Sequence, residues 1–390
     1  MRYLGIESKV LESSAAIHTA REIAQQPEVW IEILEDFKEK SNNLKSFISS
    51  NCVDINKIIL TGAGTSAFIG RSLKGMFYRT FNAETLSAPT TDLVTHPFDF
   101  VNNQDKLLLV SFARSGNSPE STAVAELCDK IASKCVHIII TCNAQGALYS
   151  FETKSSKFTV LLPEASNDQS LAMTSSYTGM LLAGILVANY QNTAILEKQV
   201  NVLAKFGIEV ISNYGDDLAD ISSKPFDRVV FLGSGPFYGT AREAHLKMLE
   251  LTGGKVAGTM DSYLGFRHGP KAIVNENTVM VYFLSNNRYV NKYEIDLIKS
   301  IREDSNPMWS IAIAPRPFNT GVDTEIVFKG GTNILEELMA VGYILPIQIL
   351  SFHKSLNSGL APDKPSVNGV IHRVVQGVKI YSPGRTVNEG

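Results

Sequence analysis

Two turns built from glycine and hydroxyl residues are the first places in this chain where chemistry could reside. Thr61-Gly62-Ala63-Gly64-Thr65-Ser66 follows the apolar run from Lys57. Ser111-Phe112-Ala113-Arg114-Ser115-Gly116-Asn117-Ser118-Pro119-Glu120 follows a second such run from Lys106. A turn that leaves a strand and enters a helix presents free backbone N–H groups at the positive end of the helix dipole, which suits a phosphate. Ser and Thr hydroxyls add neutral donors, and Arg114 adds charge. Neither turn holds the GxxxxGK[ST] of a P-loop. Gly62 and Gly64 also lack the third glycine of a dinucleotide fingerprint, because Ala67 stands there. Taken singly, each turn fits an ordinary strand-to-helix connection; two that converge on one sheet edge favour phosphate binding. Further on, Lys247 and Glu250 stand one helical turn apart, and Arg267-His268-Gly269-Pro270 follows. A carboxylate and an imidazole near a phosphate suit proton transfer, although a solvent-facing ion pair and an ordinary loop histidine fit the same residues. The seven histidines show no HxH or HxxxH spacing, so no metal cluster is indicated.

The elements that must position these groups occur twice. Lys57–Ser66 is echoed by Arg228–Pro236, with Gly64 answered by Gly235, 171 residues later. Ala88–Asp92 is echoed by Ala257–Asp261, and Lys106–Phe112 by Thr278–Ser285. Three matches in the same order at a nearly constant offset argue for a duplicated domain. Between residues 51 and 200 the pattern alternates strands at Lys57–Thr61, Lys106–Phe112, His137–Thr141 and Lys157–Leu162 with helices at Ser66–Thr80, Ser118–Lys134 and Ser170–Gln191. The second copy repeats this with strands near Arg228–Leu232, Thr278–Leu284, Met308–Ala314 and Glu325–Phe328. Its helices are Gly239–Thr252, Arg288–Ile301 and Asn333–Asn357. Such alternation predicts two α/β units, each a doubly wound parallel sheet covered by helices. The division is 1–50 as a helical arm with a capping-box pattern at Thr19 and Glu22, 51–200, 201–365 opening on an amphipathic helical linker, and a 366–390 tail with a strand-like run from Val374 to Tyr381. The second copy lacks the Ser-Gly pair in its second turn, which reads as lost phosphate binding, and it supplies the ionisable groups instead.

A chain of 390 residues suits two domains rather than one core. The net charge of −3 gives no field for nucleic acid or anionic lipid. The longest apolar stretch, Met180–Ala188, is too short to span a membrane, and the N-terminus shows no signal-peptide pattern. Cys52, Cys128, Cys135 and Cys142 form no CxxC and read as buried reduced thiols, which implies a cytoplasmic protein. The Leu335–Ile347 stretch is apolar on more than one face and fits a subunit interface or a domain core.

Gly-x-Gly-Thr-Ser at 62–66, Ser-Gly-Asn-Ser-Pro-Glu at 115–120 and His-Gly-Pro at 268–270 resemble the tandem sugar-isomerase (SIS) domain proteins. Ala113–Ser121, Ser170–Ser176 and Arg373–Val378 resemble the AgaS branch, described as galactosamine-6-phosphate deaminase/isomerases and also as tagatose-6-phosphate ketose/aldose isomerases. The resemblance implies two tandem SIS domains with an N-terminal helical arm. It implies a phosphosugar held by Gly64, Thr65, Ser66, Arg114, Ser115, Gly116, Asn117, Ser118 and Thr174. Glu250 would be the base between C1 and C2, with Lys247 beside it, and His268 a ring-opening group lent by a neighbouring subunit. Met173 and Gln376 stand where the better-known relative, the isomerase half of glucosamine-6-phosphate synthase, has a serine and an imine-forming lysine.

The implied activity is deaminating isomerisation of galactosamine 6-phosphate to tagatose 6-phosphate and ammonium in amino-sugar catabolism. The implied protein is a homodimer or homotetramer with a shared active site, no cofactor, no metal, and no nucleic-acid or membrane partner. Plain tagatose-6-phosphate isomerisation is the near alternative, and a non-catalytic sugar-phosphate sensor is the distant one. His353 and His372 are read as structural.

Overall fold

The computed structural model describes residues 1–366, 369, 371–375 and 377–383. A two-strand hairpin, Arg2–Tyr3 with Ile6–Glu7, precedes the arm helices α1 (Ile17–Ala24) and α2 (Gln26–Asn51). The capping box expected at Thr19 is absent. The Thr19 N–H and hydroxyl both donate to Asp363 Oδ1, at 2.7 and 2.8 Å, and Glu22 turns away to another loop.

The first sheet runs β1 (Lys57–Thr61), β2 (Glu84–Ser87), β3 (Lys106–Ala113), β4 (Lys134–Thr141) and β5 (Ser156–Leu161), in spatial order β2-β1-β3-β4-β5, all parallel. The second sheet repeats that order with β6 (Arg228–Leu232), β7 (Ala257–Asp261), β8 (Thr278–Phe283), β9 (Trp309–Ala314) and β10 (Thr324–Val327), arranged β7-β6-β8-β9-β10. β2 and β7 are additions to the strands expected from apolar runs; Glu84–Ser87 and Ala257–Asp261 are short edge strands with polar, half-exposed faces. The inner strands are buried on both faces, as their unbroken apolar runs require. In each sheet the chain leaves the first strand to one side and returns on the other. The crevice between β1 and β3, and its counterpart between β6 and β8, are therefore the switch points at which such sheets bind ligands.

The first-sheet helices are α3 (Thr65–Phe81), α4 (Pro119–Ile131) and α5 (Ser175–Ala188). α6 (Thr193–Asn213) and α7 (Gly215–Ser223) bridge the copies, so the linker is two helices. The second sheet carries α8 (Phe237–Leu251), α9 (Arg288–Asp304), α10 (Glu336–Tyr343) and α11 (Leu345–Asn357). The single helix expected over Asn333–Asn357 is thus two helices meeting at Ile344, with Pro346 in the first turn of the second, where its missing N–H is tolerated. α5 starts at Ser175, not Ser170, because Asp168 draws residues 168–174 into a loop. The Val374–Tyr381 run forms no strand among its described residues.

Every residue of α5 is buried, as are Glu337–Tyr343 of α10 and Leu345–Ser355 of α11. The apolar faces of Leu335–Ile347 are thus covered within one chain, and one core joins both sheets. All four cysteines are free, three buried and Cys52 half-buried. Burial pushes the Cys128 thiol up to about 12, so it stays a thiol. Among the described residues no helix is long and apolar enough to cross a membrane.

Candidate active site

The two glycine-rich turns leave neighbouring strands, β1 and β3, at their carboxyl ends and come together. Gly64 (φ +54°) and Gly116 (φ +65°) take left-handed backbone that an L side chain strains, so the turns need glycine there. Around them lies a cavity of about 190 Å³, lined by Gly64, Thr65, Ser66, Arg114, Ser115, Gly116, Ser118 and Glu250 among others. Eight of the residues singled out from sequence thus share one cavity.

Glu250 reaches it from the other copy. Helix α8 packs against α3 of the first copy. Glu243, Lys247 and Glu250 lie four and three residues apart, on one face of α8. The Lys247 ammonium contacts the Glu250 carboxylate and stands 3.4 Å from Glu243 Oε1. Lys247 and Glu243 are fully buried, whereas the Glu250 side chain is 17% exposed and faces the cavity. Burial alone would lower the Lys247 pKa, but the two flanking carboxylates hold it above its ordinary value. Burial pushes Glu243 up to about 8 against the pull of Lys247. Neither of its oxygens has a hydrogen-bond partner by geometry among the described residues. The trio therefore sets one cation between two acidic groups, and Lys247 fixes the partly exposed one, Glu250, toward the cavity. Glu243 was not singled out from the sequence; its signal was the E-x-x-x-K-x-x-E spacing.

Arg114 is less free than its place in the turn suggested. Its guanidinium is buried and donates to the carbonyls of Ser170 (3.2 Å), Leu171 (3.1 Å) and Arg373 (2.6 Å). It ties two segments to the turn while keeping its charge beside the cavity. Asn117 lies outside the lining, and its Oδ1 accepts from the Ala147 N–H at 2.9 Å. Thr174 also lies outside: it is buried with its N–H and hydroxyl on Asp168, at 2.8 and 3.1 Å. Asp168 also accepts from the N–H groups of Ser175 and Ser176 and so caps α5. Glu22 of α1 accepts from the Gln169 N–H at 2.6 Å and contacts the Ser170 hydroxyl, so the arm braces the loop whose Leu171 and Met173 line the cavity. Burial, with Asp168 nearby, pushes Glu22 up to about 7.

His268 is exposed and lies outside the cavity of its own chain. His372 departs from the structural reading: with Ile371, Arg373, Val374 and Val375 it walls the cavity. Arg373 anchors that wall through Asn167 Oδ1 (2.9 Å) and the Asp168 carbonyl (2.8 Å). Gln376 lies outside the described residues. His353 is buried in α11, where burial lowers it to about 4, consistent with a structural place.

Comparison with known proteins identifies relatives along almost the whole chain. The sequence model of the SIS domain family matches residues 53–190. The chain is 38% identical to a D-galactosamine-6-phosphate deaminase AgaS of Escherichia coli, across 93% of this chain and 95% of that protein. It is 35% identical to the D-galactosamine-6-phosphate deaminase AgaS of a Shewanella species, across 96% and 95%. The solved structure of a tagatose-6-phosphate ketose/aldose isomerase from Escherichia coli superposes with a TM-score of 0.84 at 37% identity, covering 91% of this chain and 96% of the other.

Proposed function

The chain belongs to the AgaS family of SIS-domain proteins, and from that premise we propose that it converts galactosamine 6-phosphate and water into tagatose 6-phosphate and ammonium. The observation that carries this reading is the Glu250 carboxylate, held by Lys247 in the same cavity as both glycine-rich turns. The phosphate docks on the turns through backbone N–H groups and the hydroxyls of Thr65, Ser66, Ser115 and Ser118, beside the buried charge of Arg114. In the open-chain aldose, Glu250 removes the C2 proton. The C2–H electron pair forms the C1–C2 double bond of an enolamine, and the carbonyl oxygen takes a proton. Glu250 then returns its proton to C1, leaving a C2 iminium. Water adds to C2, the C–N bond breaks, and ketose and ammonium leave. The Lys247 ammonium, in contact with the Glu250 carboxylate, holds that group in place for the first step.

His268 would assist ring opening, and its exposure fits a role in the cavity of a second subunit. We therefore take the working assembly to be a homo-oligomer with shared sites, and the working domains to be 51–200 and 201–365 between arm and tail. Doubly charged phosphosugars do not cross membranes unaided, which favours the cytoplasm as the place of work. The second reading, isomerisation without loss of nitrogen, is favoured by the similarity to a protein described as a tagatose-6-phosphate isomerase.

The test is ammonium release from galactosamine 6-phosphate, with glucosamine 6-phosphate alongside. Release from the galacto sugar, reduced about 10²–10⁴-fold in Glu250→Gln, is expected for a general base. Absence of ammonium with both sugars, together with interconversion of tagatose 6-phosphate and its aldose, would transfer the assignment to the second reading.

A further inference from the structure

A second cleft, of about 470 Å³, lies in the second copy over the turn after β6 and the end of β7. Its floor is the turn after β6, where Gly235 (φ +58°) stands 171 residues after Gly64 (φ +54°) and repeats its left-handed backbone. The helices are exchanged between the two clefts. The first borrows Leu246 and Glu250 from α8; the second borrows Gly75 and Arg79 from α3, and each pair is again 171 apart. Paired stacking marks the same pseudo-symmetry, with Arg242 over Phe68 at 4.8 Å and Arg71 over Tyr238 at 4.9 Å.

Where the first cleft has the carboxylate that accepts a proton, the second has an arginine, which does not titrate in the working range. Proton transfer is lost there and attraction for an anion is gained. Arg71 and Lys74 bring two more cations to the same cleft, three residues apart on α3. Among the described residues neither has an ion-pair partner, and such neighbours repel until an anion lies between them. Arg79 pairs with Glu337 at 2.7 Å, and Asp261 is the other carboxylate in the lining. Three cations face two carboxylates, which leaves positive charge in excess. The Ser72 hydroxyl donates to the Pro236 carbonyl at 2.7 Å, so the cationic helix and the turn form one braced unit.

The geometry points to a second, non-catalytic site that binds the phosphate group of a sugar phosphate, seated between the Gly235 turn and Arg71, Lys74 and Arg79. The turn after β8, where the Ser-Gly pair is missing, does not line this cleft; the donors here are the cations of α3. The inference leans on the first cleft only for the glycine turn and the borrowed helix, which the duplication repeats.

Inorganic phosphate, titrated calorimetrically into the full-length protein, tests this independently of turnover. Two phosphates per chain are expected. Arg71→Ala/Lys74→Ala should weaken one of them at least about tenfold, while ammonium release at saturating substrate stays as in the parent. Ser66→Ala/Ser115→Ala should weaken the other. A single phosphate that is lost in Ser66→Ala/Ser115→Ala but kept in Arg71→Ala/Lys74→Ala overturns the second site, as do two phosphates indifferent to Arg71→Ala/Lys74→Ala. Because both substituted cations are exposed, the fold should tolerate their loss; Lys74→Glu, which reverses the charge at one position, should weaken the same phosphate. Failure of the deaminase reading would appear in ammonium release and leave this count unchanged.

Discussion

Three side chains on one face of α8 set the chemistry, and the buried acid among them has a consequence in pH. Glu243 is held at about 8 by burial, against an ordinary value of 4.5. Between those two values the folded chain keeps a proton that the unfolded chain has released. Its contribution to stability is therefore full below about 4.5 and declines as pH rises toward 8. Glu22, at about 7, adds to the same slope over the lower part of the window. The melting temperature should fall from pH 5 to 8, and Glu243→Gln, which mimics the protonated acid, should flatten that fall by on the order of 1–3 kcal/mol. An unchanged slope in the variant would place the proton elsewhere. Lys247→Met would leave Glu243 and Glu250 facing each other without a cation. A loss of about 3–5 kcal/mol is expected by denaturant titration, as for other broken buried pairs.

At the scale of elements, the site depends on how closely α3 and α8 cross. A Cβ at Gly239 would meet Ser72 Oγ at 2.2 Å and the Phe68 carbonyl at 2.6 Å, so only glycine permits this approach. Gly239→Val should destabilise by about 1–3 kcal/mol by forcing the helices apart. It should also lower kcat more than it raises KM, because Glu250 rides on the displaced helix. Arg373→Ala is expected to do the reverse, raising KM several-fold with little change in melting temperature, since it frees one wall of the cavity. The strand-turn-helix units were legible from sequence because apolar runs, glycine and hydroxyl residues each have a local reason to be where they are. The turns around Gly64 and Gly116 and the Lys247–Glu250 pair were found that way. What escaped was non-local. Asp168 pulls a stretch read as helix into a cap, Thr19 binds Asp363 across 344 residues, and Arg114 holds the tail. None of these partners can be named from spacing alone. The break at Ile344 was locally signalled by Pro346, but the apolar pattern runs on through both helices and masked it.

Across the whole molecule, one core joins both sheets, with Leu60 and Ile138 of the first in the same cluster as Phe231 and Val281 of the second. The two copies should therefore melt in a single calorimetric transition; two separated transitions would mean that each sheet has a core of its own. Exposed His268 sets the other test at this scale. Glu250→Gln and His268→Ala chains, each inactive alone, should regain part of the parental turnover when refolded together, because some mixed sites carry both intact groups. No recovery would confine the site to one chain. The wall made by Ile371–Val375 has a consequence of another kind. During synthesis these residues leave the ribosome after both sheets and every helix among the described residues, so the nascent protein can acquire its fold before it acquires a closed site. A premature stop after Ser366 would then yield a chain that keeps the Asp363 contacts of the arm but lacks one wall of its substrate chamber.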